Sequence, residues 1–540
     1  MDRRRHAWAR RLGAAWLAAA AAVGTATPGA WASTSASTST PTSTPASKDA
    51  SEGPTPAQLK RIDAYAEEQR DRLRVPGMAL AVVRDDEVVH RRTWGKDGDG
   101  KPITRHTPFL VGSLAKPITA TAVLHLAEAG TLSLDAPVRR YLPWFHPSGP
   151  SAGRITLRNL LNQTSGLSEQ DGIAHADRFD NAPGGVERTA RALADARTSA
   201  PPGKRHEYSN ANYMLLGAVV EKVTGQPFGT YLKRTVLRPL GMDGALVTER
   251  DAERRQLAPG HRYFFGHPES FDPPYDASGV PYGYVGADID DLSKFAVAHL
   301  GGGDAAARAV VSPAGLREMH KGTIPVGTSH RYGLGWRDDS FEGERVVWHG
   351  GATPGYHGTV VLAPERGLAV VVQDNAYSPQ RDELLNATAL GAMHILLGGR
   401  PPAASTDPML DALLITVTAT TAVLALGLLW SLFRLFRPSR RRARGRRRIV
   451  VGGVVAVVGL LALAATAVYI LPRQVTVDLS EILLFVPDSG RLLIAVGALA
   501  TALAAVRCAL TVRALRAAPP VAQADSDAVR DRTREAPAGV

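Results

Sequence analysis

Three apolar stretches in the last quarter of the chain constrain its fold more than any other feature. Residues 410–433 and 449–471 are each long enough for a helix that crosses a bilayer. Residues 492–512 form a weaker third stretch, which is interrupted by Arg507 near one end. We therefore predict three transmembrane helices, at 409–435, 449–471 and 492–512.

A run of nine arginines between positions 434 and 448 separates the first two apolar stretches. Without this run the formal net charge of +12 would fall to +3, so the rest of the chain is close to neutral. Short loops rich in Lys and Arg stay on the cytoplasmic side of a membrane. We predict a cytoplasmic loop at 436–448, an extracytoplasmic loop at 472–491 and a cytoplasmic tail at 513–540. A run flanked by membrane helices does not indicate nucleic-acid binding.

The N-terminus has the pattern of an export signal over residues 1–32. Arginines at positions 3, 4 and 5 precede an apolar stretch at 12–23, and Ala30 and Ala32 offer the small residues that a signal peptidase reads. An uncleaved membrane anchor is the alternative interpretation, and it would export the following domain as well. Residues 33–56 are rich in Ser, Thr, Pro and Ala, which is typical of a flexible linker.

Residues 57–400 are predicted to form one large domain of the α/β (α+β) class. Alternating residues predict a β-hairpin at 77–83 and 87–94 and late strands at 345–348, 357–362 and 368–373. Helical spacing occurs at 58–73, 113–129, 212–223 and near 382–397. Strands at both ends of the domain indicate an antiparallel sheet flanked by helices, with a helical subdomain between them. The single cysteine, Cys508, excludes an internal disulfide framework and a Cys-based zinc site.

Ser113 and Lys116 are the first candidate catalytic residues. Residues three apart on a helix share a face, so the hydroxyl and the amine can meet. Burial and the start of a helix both disfavour the ammonium form, and a neutral lysine can accept the proton of a serine nucleophile. The alternative is an ordinary helix, since Ser and Lys at this spacing are common.

Tyr208 and Asn210 form the second candidate group. A phenol beside a cation is expected to have a lowered pKa and to serve as a proton shuttle, and the Asn amide can hold the lysine or a substrate carbonyl. The alternative is a helix cap, because Ser209 and Asn210 are both common capping residues.

His349, Gly350 and Gly351 form the third candidate group, after the apolar residues 346–348. Glycines at a strand end let backbone N–H groups approach a substrate closely, as an oxyanion hole requires. A glycine-rich turn between strands is the alternative.

These motifs together resemble those of the serine β-lactamase and penicillin-binding protein superfamily, in particular its class C-like branch. Residues 160–167 (LLNQTSGL) are similar to the LLTHTSGL of that branch, and residues 208–242 follow its pattern almost throughout. Residues 333–336 (GLGW) and 349–356 (HGGATPGY) also fit. The resemblance implies an antiparallel sheet between helices, with the site between the sheet and a helical subdomain.

The resemblance also implies roles for the candidate residues. Ser113 would be the acylated nucleophile, Lys116 its proton acceptor and Tyr208 the proton shuttle. Asn210 would orient the lysine and substrate, and the N–H groups of Ser113 and Ala352 would form the oxyanion hole. No metal or organic cofactor is required. His349 stands where true β-lactamases have a lysine, and near neutral pH a histidine is charged only part of the time.

The sequence therefore predicts an exported, membrane-tethered serine hydrolase that acts through an acyl-enzyme on an ester, a D-amino-acid peptide or a lactam. The alternative is a catalytically silent domain that binds cell-wall peptides and is coupled to membrane helices. The expected partners are a small-molecule or cell-wall peptide substrate and a membrane. The catalytic domain is expected on the extracytoplasmic side, and the sequence does not fix the substrate or the oligomeric state.

Overall fold

The structure is a computed structural model that describes residues 53–327, 330–404, 408–437, 445–474 and 477–517. The predicted signal peptide, most of the linker, the middle of the arginine-rich loop and nearly all of the tail lie outside the described residues.

The helices are α1 (Pro56–Leu73), α2 (Ala115–Glu128), α3 (Leu157–Leu161), α4 (Glu169–Ala174), α5 (Gly185–Arg191), α6 (Asn210–Thr224), α7 (Phe228–Leu232), α8 (Glu249–Arg254), α9 (Ile289–His299), α10 (Ala305–Arg308), α11 (Pro313–His320), α12 (Asp382–Leu396), α13 (Pro408–Phe436), α14 (Arg446–Ala465), α15 (Leu471–Gln474), α16 (Leu479–Phe485) and α17 (Pro487–Arg516). The strands are β1 (Gly77–Arg84), β2 (Glu87–Gly95), β3 (Phe109–Leu110), β4 (Gly260–Phe264), β5 (His267–Phe271), β6 (Gly286–Ala287), β7 (Ile324–Val326), β8 (His330–Tyr332), β9 (Arg337–Phe341), β10 (Glu344–Thr353), β11 (Tyr356–Ala363), β12 (Leu368–Asp374) and β13 (Ala376–Tyr377).

An eight-stranded sheet forms the centre of the domain, in the order β2-β1-β12-β11-β10-β9-β8-β7. Its neighbouring strands are antiparallel, and β1 from the start of the domain pairs with β12 from its end. The two ends of the domain therefore close one sheet, and helices cover both of its faces. The predicted fold class is confirmed.

The sheet separates two apolar cores because side chains alternate between its faces. On β10, Val346 packs towards α1 and α12, whereas Val347 packs towards α2 and α6. Both faces of the central strands are apolar and fully buried, which explains why β11 and β12 have nearly continuous apolar sequences.

Two local predictions are corrected at the points that matter for the site. Ser113 does not begin the α-helix itself but lies in a 3₁₀ turn, Gly112–Leu114, that leads into α2. The His349-Gly350-Gly351 segment does not follow a strand but lies inside β10, which extends to Thr353. The sequence misplaced this strand end because paired glycines normally weaken a strand.

Three helices of the C-terminal part are long and apolar enough to cross a membrane: Asp411–Phe436, Arg446–Arg473 and Pro487–Arg516, of 26, 28 and 30 residues. Among the described residues, all of the large apolar side chains that are exposed lie on these helices, except Val89 and Phe265. Val417, Val496 and Ala500 belong to a small core where the helices meet. The remaining apolar surface fits a lipid environment.

Candidate active site

Ser113 and Lys116 meet at the junction between the 3₁₀ turn and α2. The Lys116 amine lies 2.9 Å from the Ser113 hydroxyl oxygen, 2.7 Å from the Asn210 side-chain oxygen and 2.9 Å from the Tyr282 carbonyl oxygen. Lys116 is fully buried, whereas Ser113 is partly exposed. The nucleophile candidate can therefore be reached from solvent while its partner amine cannot.

The surroundings of Lys116 favour a neutral amine. Burial holds the pKa of Lys116 well below its usual value, and the more distant Asp177 opposes this shift only in part. A neutral amine has two N–H groups and one lone pair. Asn210 and Tyr282 offer two oxygens that only accept, and Ser113 offers a hydroxyl that can donate. The three contacts thus match an amine that is ready to take the serine proton.

Tyr208 and Asn210 are held by the segment that contains LLNQTSGL. Ser209 caps α6, and its backbone N–H donates to the Gln163 side-chain oxygen at 3.0 Å. The amide of Asn212 donates to the same oxygen. Gln163 is fully buried and has a positive φ of 60°. It therefore fixes the start of α6, and this positioning role was missed in the sequence although its motif was recognised.

The expected lowering of the Tyr208 pKa is wrong. Burial raises the pKa of the Tyr208 phenol above its usual range, and a hydrogen bond with Ser113 and the charge of Arg337 offset this only in part. The Lys116 amine is 5.0 Å from the centre of the ring, but as a neutral group it provides no cation. Tyr208 therefore remains a phenol, which can donate to Ser113 while Ser113 donates to Lys116.

Strand β10 approaches the nucleophile through two glycines. A Cβ on Gly351 would lie 2.3 Å from the Val111 carbonyl oxygen and 2.5 Å from the Ser113 nitrogen. A Cβ on Gly112, whose φ is +56°, would lie 2.1 Å from the Ala352 nitrogen. Only glycine allows this approach, which brings the predicted oxyanion-hole amides of Ser113 and Ala352 to one place. Gly350 faces away, because a side chain there would meet Asn386 at 2.0 Å.

His349 is buried and neutral, contrary to the expectation of a partly charged ring. Burial comes first among the causes that hold its pKa well below the usual value, followed by the charge of Arg337. The ring Nδ1 is 2.6 Å from the Gly350 carbonyl oxygen and can only donate there. The Nε2 atom therefore accepts from the Tyr332 hydroxyl at 3.1 Å.

Arg337 on β9 is a second functional candidate that the sequence did not reveal. Its charge acts on Tyr208, His349 and Tyr332, which places a permanent cation beside the catalytic candidates. Its guanidinium stacks 4.9 Å above the Trp348 ring and donates to His330 at 3.0 Å. Its charge also acts on the carboxyl of Asp339, which accepts a hydrogen bond from the ring nitrogen of Trp348. The only available signal was its position directly after GLGW.

The described residues contain no group of three or more His, Cys, Asp or Glu side chains that could hold a metal ion. The chemistry available at this site is proton transfer and nucleophilic attack by side chains, with backbone N–H groups to stabilise an oxyanion.

Comparison with known proteins identifies the family. The Beta-lactamase family model matches residues 62–392, which include every residue discussed above for the site. The chain belongs to the beta-lactamase family. Its solved relatives include the octameric penicillin-binding protein homologue from Pyrococcus abyssi, at 27% identity and a TM-score of 0.55, which covers 64% of this chain and 78% of that one. SurE is similar at 26% identity and a TM-score of 0.54, over 65% of this chain and 79% of that one.

The curated relatives of this chain have different names. Protein flp of Staphylococcus aureus (strain MRSA252) is 26% identical over 61% of this chain and 65% of its own length. Penicillin-binding protein 4 of Amycolatopsis lactamdurans is 30% identical over 58% of this chain and 85% of its own length. Esterase EstB of Burkholderia gladioli is 36% identical over 39% of this chain and 55% of its own length. Family membership supports a serine hydrolase and leaves the substrate open.

Proposed function

We propose that this chain is an exported, membrane-tethered serine hydrolase that works through an acyl-enzyme at Ser113. The observation that carries the proposal is the contact between the Ser113 hydroxyl and the buried Lys116 amine, whose other neighbours only accept hydrogen bonds. Such an amine can activate serine near neutral pH because it is not protonated. A structural lysine would instead be expected to pair with a carboxylate.

The proposed reaction has two stages. Ser113 gives its proton to Lys116 and attacks the substrate carbonyl, while the N–H groups of Ser113 and Ala352 stabilise the oxyanion. Tyr208 passes a proton to the leaving group and later helps to activate water, which hydrolyses the acyl-enzyme. A neutral phenol suits the first task because it has a proton to give.

The substrate class is an ester, a D-amino-acid peptide or a lactam. His349 does not supply the cation that an anionic substrate requires, since its ring is neutral. Arg337 offers a permanent cation instead, so substrates with a carboxylate remain within the proposed range. The names of the relatives include both an esterase and penicillin-binding proteins, which supports the same range.

The extracytoplasmic position of the hydrolase domain is part of the proposal. If all three candidate helices cross the membrane, the loop between the second and third lies on the side opposite to the arginine-rich loop. Arg262 of the hydrolase domain donates to carbonyl oxygens of this loop at Leu483 and Leu484. Such a contact requires the hydrolase domain and this loop to lie on the same side of the membrane. It therefore supports the predicted orientation.

Covalent labelling tests the proposal. A fluorophosphonate probe should label the full-length wild-type protein at Ser113, as located by mass spectrometry of the labelled peptide. The Ser113→Ala variant should not be labelled. Absence of labelling in the wild type, or equal labelling of both proteins, would contradict an acyl-enzyme at Ser113. A panel of esters, D-alanyl peptides and nitrocefin would then identify the substrate class, and binding without turnover would favour the sensing domain.

A further inference from the structure

Helix α16 lies between the second and third membrane helices and has two different faces. Leu479 and Ile482 pack against the core formed by the membrane helices. Glu481 and Phe485 are four residues apart, so they share another face of the helix. Residues 481–486 are all half-buried. The second face is therefore covered by something other than the membrane helices.

The hydrolase domain holds this segment through the hairpin β4–β5. The Arg262 guanidinium donates to the carbonyl oxygens of Leu483 at 3.0 Å and Leu484 at 3.2 Å. These carbonyls lie at the end of α16, where a helix leaves its last oxygens without internal partners. The backbone N–H of Phe265 donates to Asp488 at 3.2 Å, just beyond the helix. The segment is thus fixed at a defined place on the domain.

Glu481 is connected to Lys116 through neighbouring residues of the hydrolase domain. Its carboxyl group lies close enough to that of Asp177 for the charge of Asp177 to raise the pKa of Glu481. The backbone N–H of Asp177 donates to the Tyr282 hydroxyl at 3.0 Å, and the Tyr282 carbonyl oxygen lies 2.9 Å from the Lys116 amine. Two residues therefore separate Glu481 from the candidate base.

Phe485 is connected to Ala352 through two aromatic side chains. Its ring meets the Tyr377 ring edge to face, with 6.0 Å between the ring centres. Tyr377 stacks on His357 at 6.1 Å, and His357 is the direct strand partner of Ala352 in the β10–β11 pair. Tyr208 also lies near enough to Tyr377 to influence the pKa of its phenol. One turn of α16 is thus linked through neighbouring residues both to Lys116 and to Ala352.

From these contacts we propose that α16 is the outer wall of the substrate cleft and that Phe485 and Glu481 are specificity-determining residues. The membrane-helical part then takes part in substrate selection, because it supplies this wall. Phe485 limits the size of the acyl group that reaches Ser113, as wall residues of enclosed pockets do. This inference rests on the proposed acyl-enzyme at Ser113.

The size limit is tested with p-nitrophenyl acetate and p-nitrophenyl octanoate on the full-length protein. Phe485→Ala should raise the kcat/KM ratio of octanoate to acetate by about tenfold, because removal of the ring opens the wall. Leu479→Ala is the matched control: it truncates the same helix at a residue that packs against the core of the membrane helices, and it should leave the ratio within about twofold of wild type. An unchanged ratio in Phe485→Ala, or an equal change in both variants, would overturn the inference.

A cross-linking experiment tests the placement of α16 without any turnover. In a Cys508→Ser background, Asp177→Cys with Glu481→Cys should be joined by a short thiol-specific cross-linker, as seen by mass spectrometry. Asp177→Cys with Ser480→Cys is the control, because Ser480 is exposed and adjacent. If the first pair is cross-linked but the wild type hydrolyses no ester, the proposed function is contradicted, whereas the placement of α16 beside Asp177 is retained. Equal or absent cross-linking of both pairs overturns the wall.

Discussion

The Lys116 amine has three polar neighbours and, when neutral, only two protons. Two of these neighbours, the Asn210 amide oxygen and the Tyr282 carbonyl, carry no charge. The low pKa of Lys116 thus depends on burial without a nearby carboxylate, and Asp177 is too distant to overcome it. At position 210 the amine contacts an uncharged amide, where an aspartate would present a carboxylate.

Asn210→Asp should therefore move the activity towards higher pH. A carboxylate in contact with Lys116 stabilises the ammonium form and raises the lysine pKa by about one to three units. The amine accepts a proton only above its pKa, so the acidic limb of the pH–rate profile for Ser113 acylation should shift upward by a similar amount. Asn210→Ser removes the amide without adding charge and should lower the rate without this upward shift. An unshifted limb in Asn210→Asp would show that Lys116 is not the base.

Among the residues of the site, those in short motifs could be predicted and those brought in by strand pairing could not. Ser113 and Lys116 are three apart in sequence, so helical geometry alone predicts their contact. Arg337 lies at the site because β9 pairs with β10, and no local sequence pattern indicates this pairing. The pKa predictions for Tyr208 and His349 failed for another reason: burial decides both, and burial depends on the whole fold.

At the level of elements, the site depends on how closely β10 approaches the turn that carries Ser113. Gly351 provides this contact, and its strand partner is Gly358 on β11. The two glycines differ in their surroundings. A Cβ at position 351 would meet backbone atoms at 2.3 and 2.5 Å, whereas one at position 358 would meet the end of the Leu114 side chain at 3.2 Å.

Gly351→Ala should reduce the kcat of the full-length protein by about 100-fold or more while the fold is retained. The methyl group pushes β10 away from the Ser113 amide, which removes one donor of the oxyanion hole. Gly358→Ala should keep nearly full activity, because the Leu114 side chain can move. The measurement is the rate of ester hydrolysis or probe labelling, with circular dichroism to monitor folding. Equal activity of the two variants would contradict an oxyanion hole formed by β10.

The elements themselves were largely predictable from the sequence. The hairpin β1–β2, helix α6 and strands β11 and β12 lie where alternation and helical spacing indicated. For the sheet, the sequence predicted only that strands from the two ends of the domain belong to one sheet, and it did not predict the order of the other strands. Helix α16 was predicted only as an extracytoplasmic loop, because its seven residues are too few for a clear helical pattern. Its position depends on contacts with Arg262 and Asp177, more than 200 residues earlier.

At the scale of the whole molecule, the contact between Asp177 and Glu481 links the hydrolase domain to its membrane helices. Burial raises the pKa of Glu481 to about 8, and the charge of Asp177 adds to this shift. Burial likewise raises the pKa of Asp177 to about 6. At neutral pH the two carboxyls therefore hold one proton between them. Other charged or titratable groups face this pair, and their pKa effects are smaller than that of burial: Asp276, Tyr284, Arg178, Asp478 and Lys116.

The attachment of α16 should consequently weaken as the pH rises. A carboxyl whose pKa is raised in the attached state takes up a proton on attachment, so attachment is favoured at low pH and lost as the pH rises from about 4.5 through 8. Hydrogen exchange of residues 480–485 in the full-length protein, corrected for the intrinsic rate, should be slower at pH 6 than at pH 9. Glu481→Gln removes the carboxyl with the higher pKa and leaves only Asp177 to titrate, so its protection should differ less between the two pH values than that of wild type. Glu269→Gln, which removes a carboxylate paired with Arg491 at the same contact, should retain the wild-type pH dependence. If wild type and Glu481→Gln exchange alike at both pH values, the shared proton does not hold the segment.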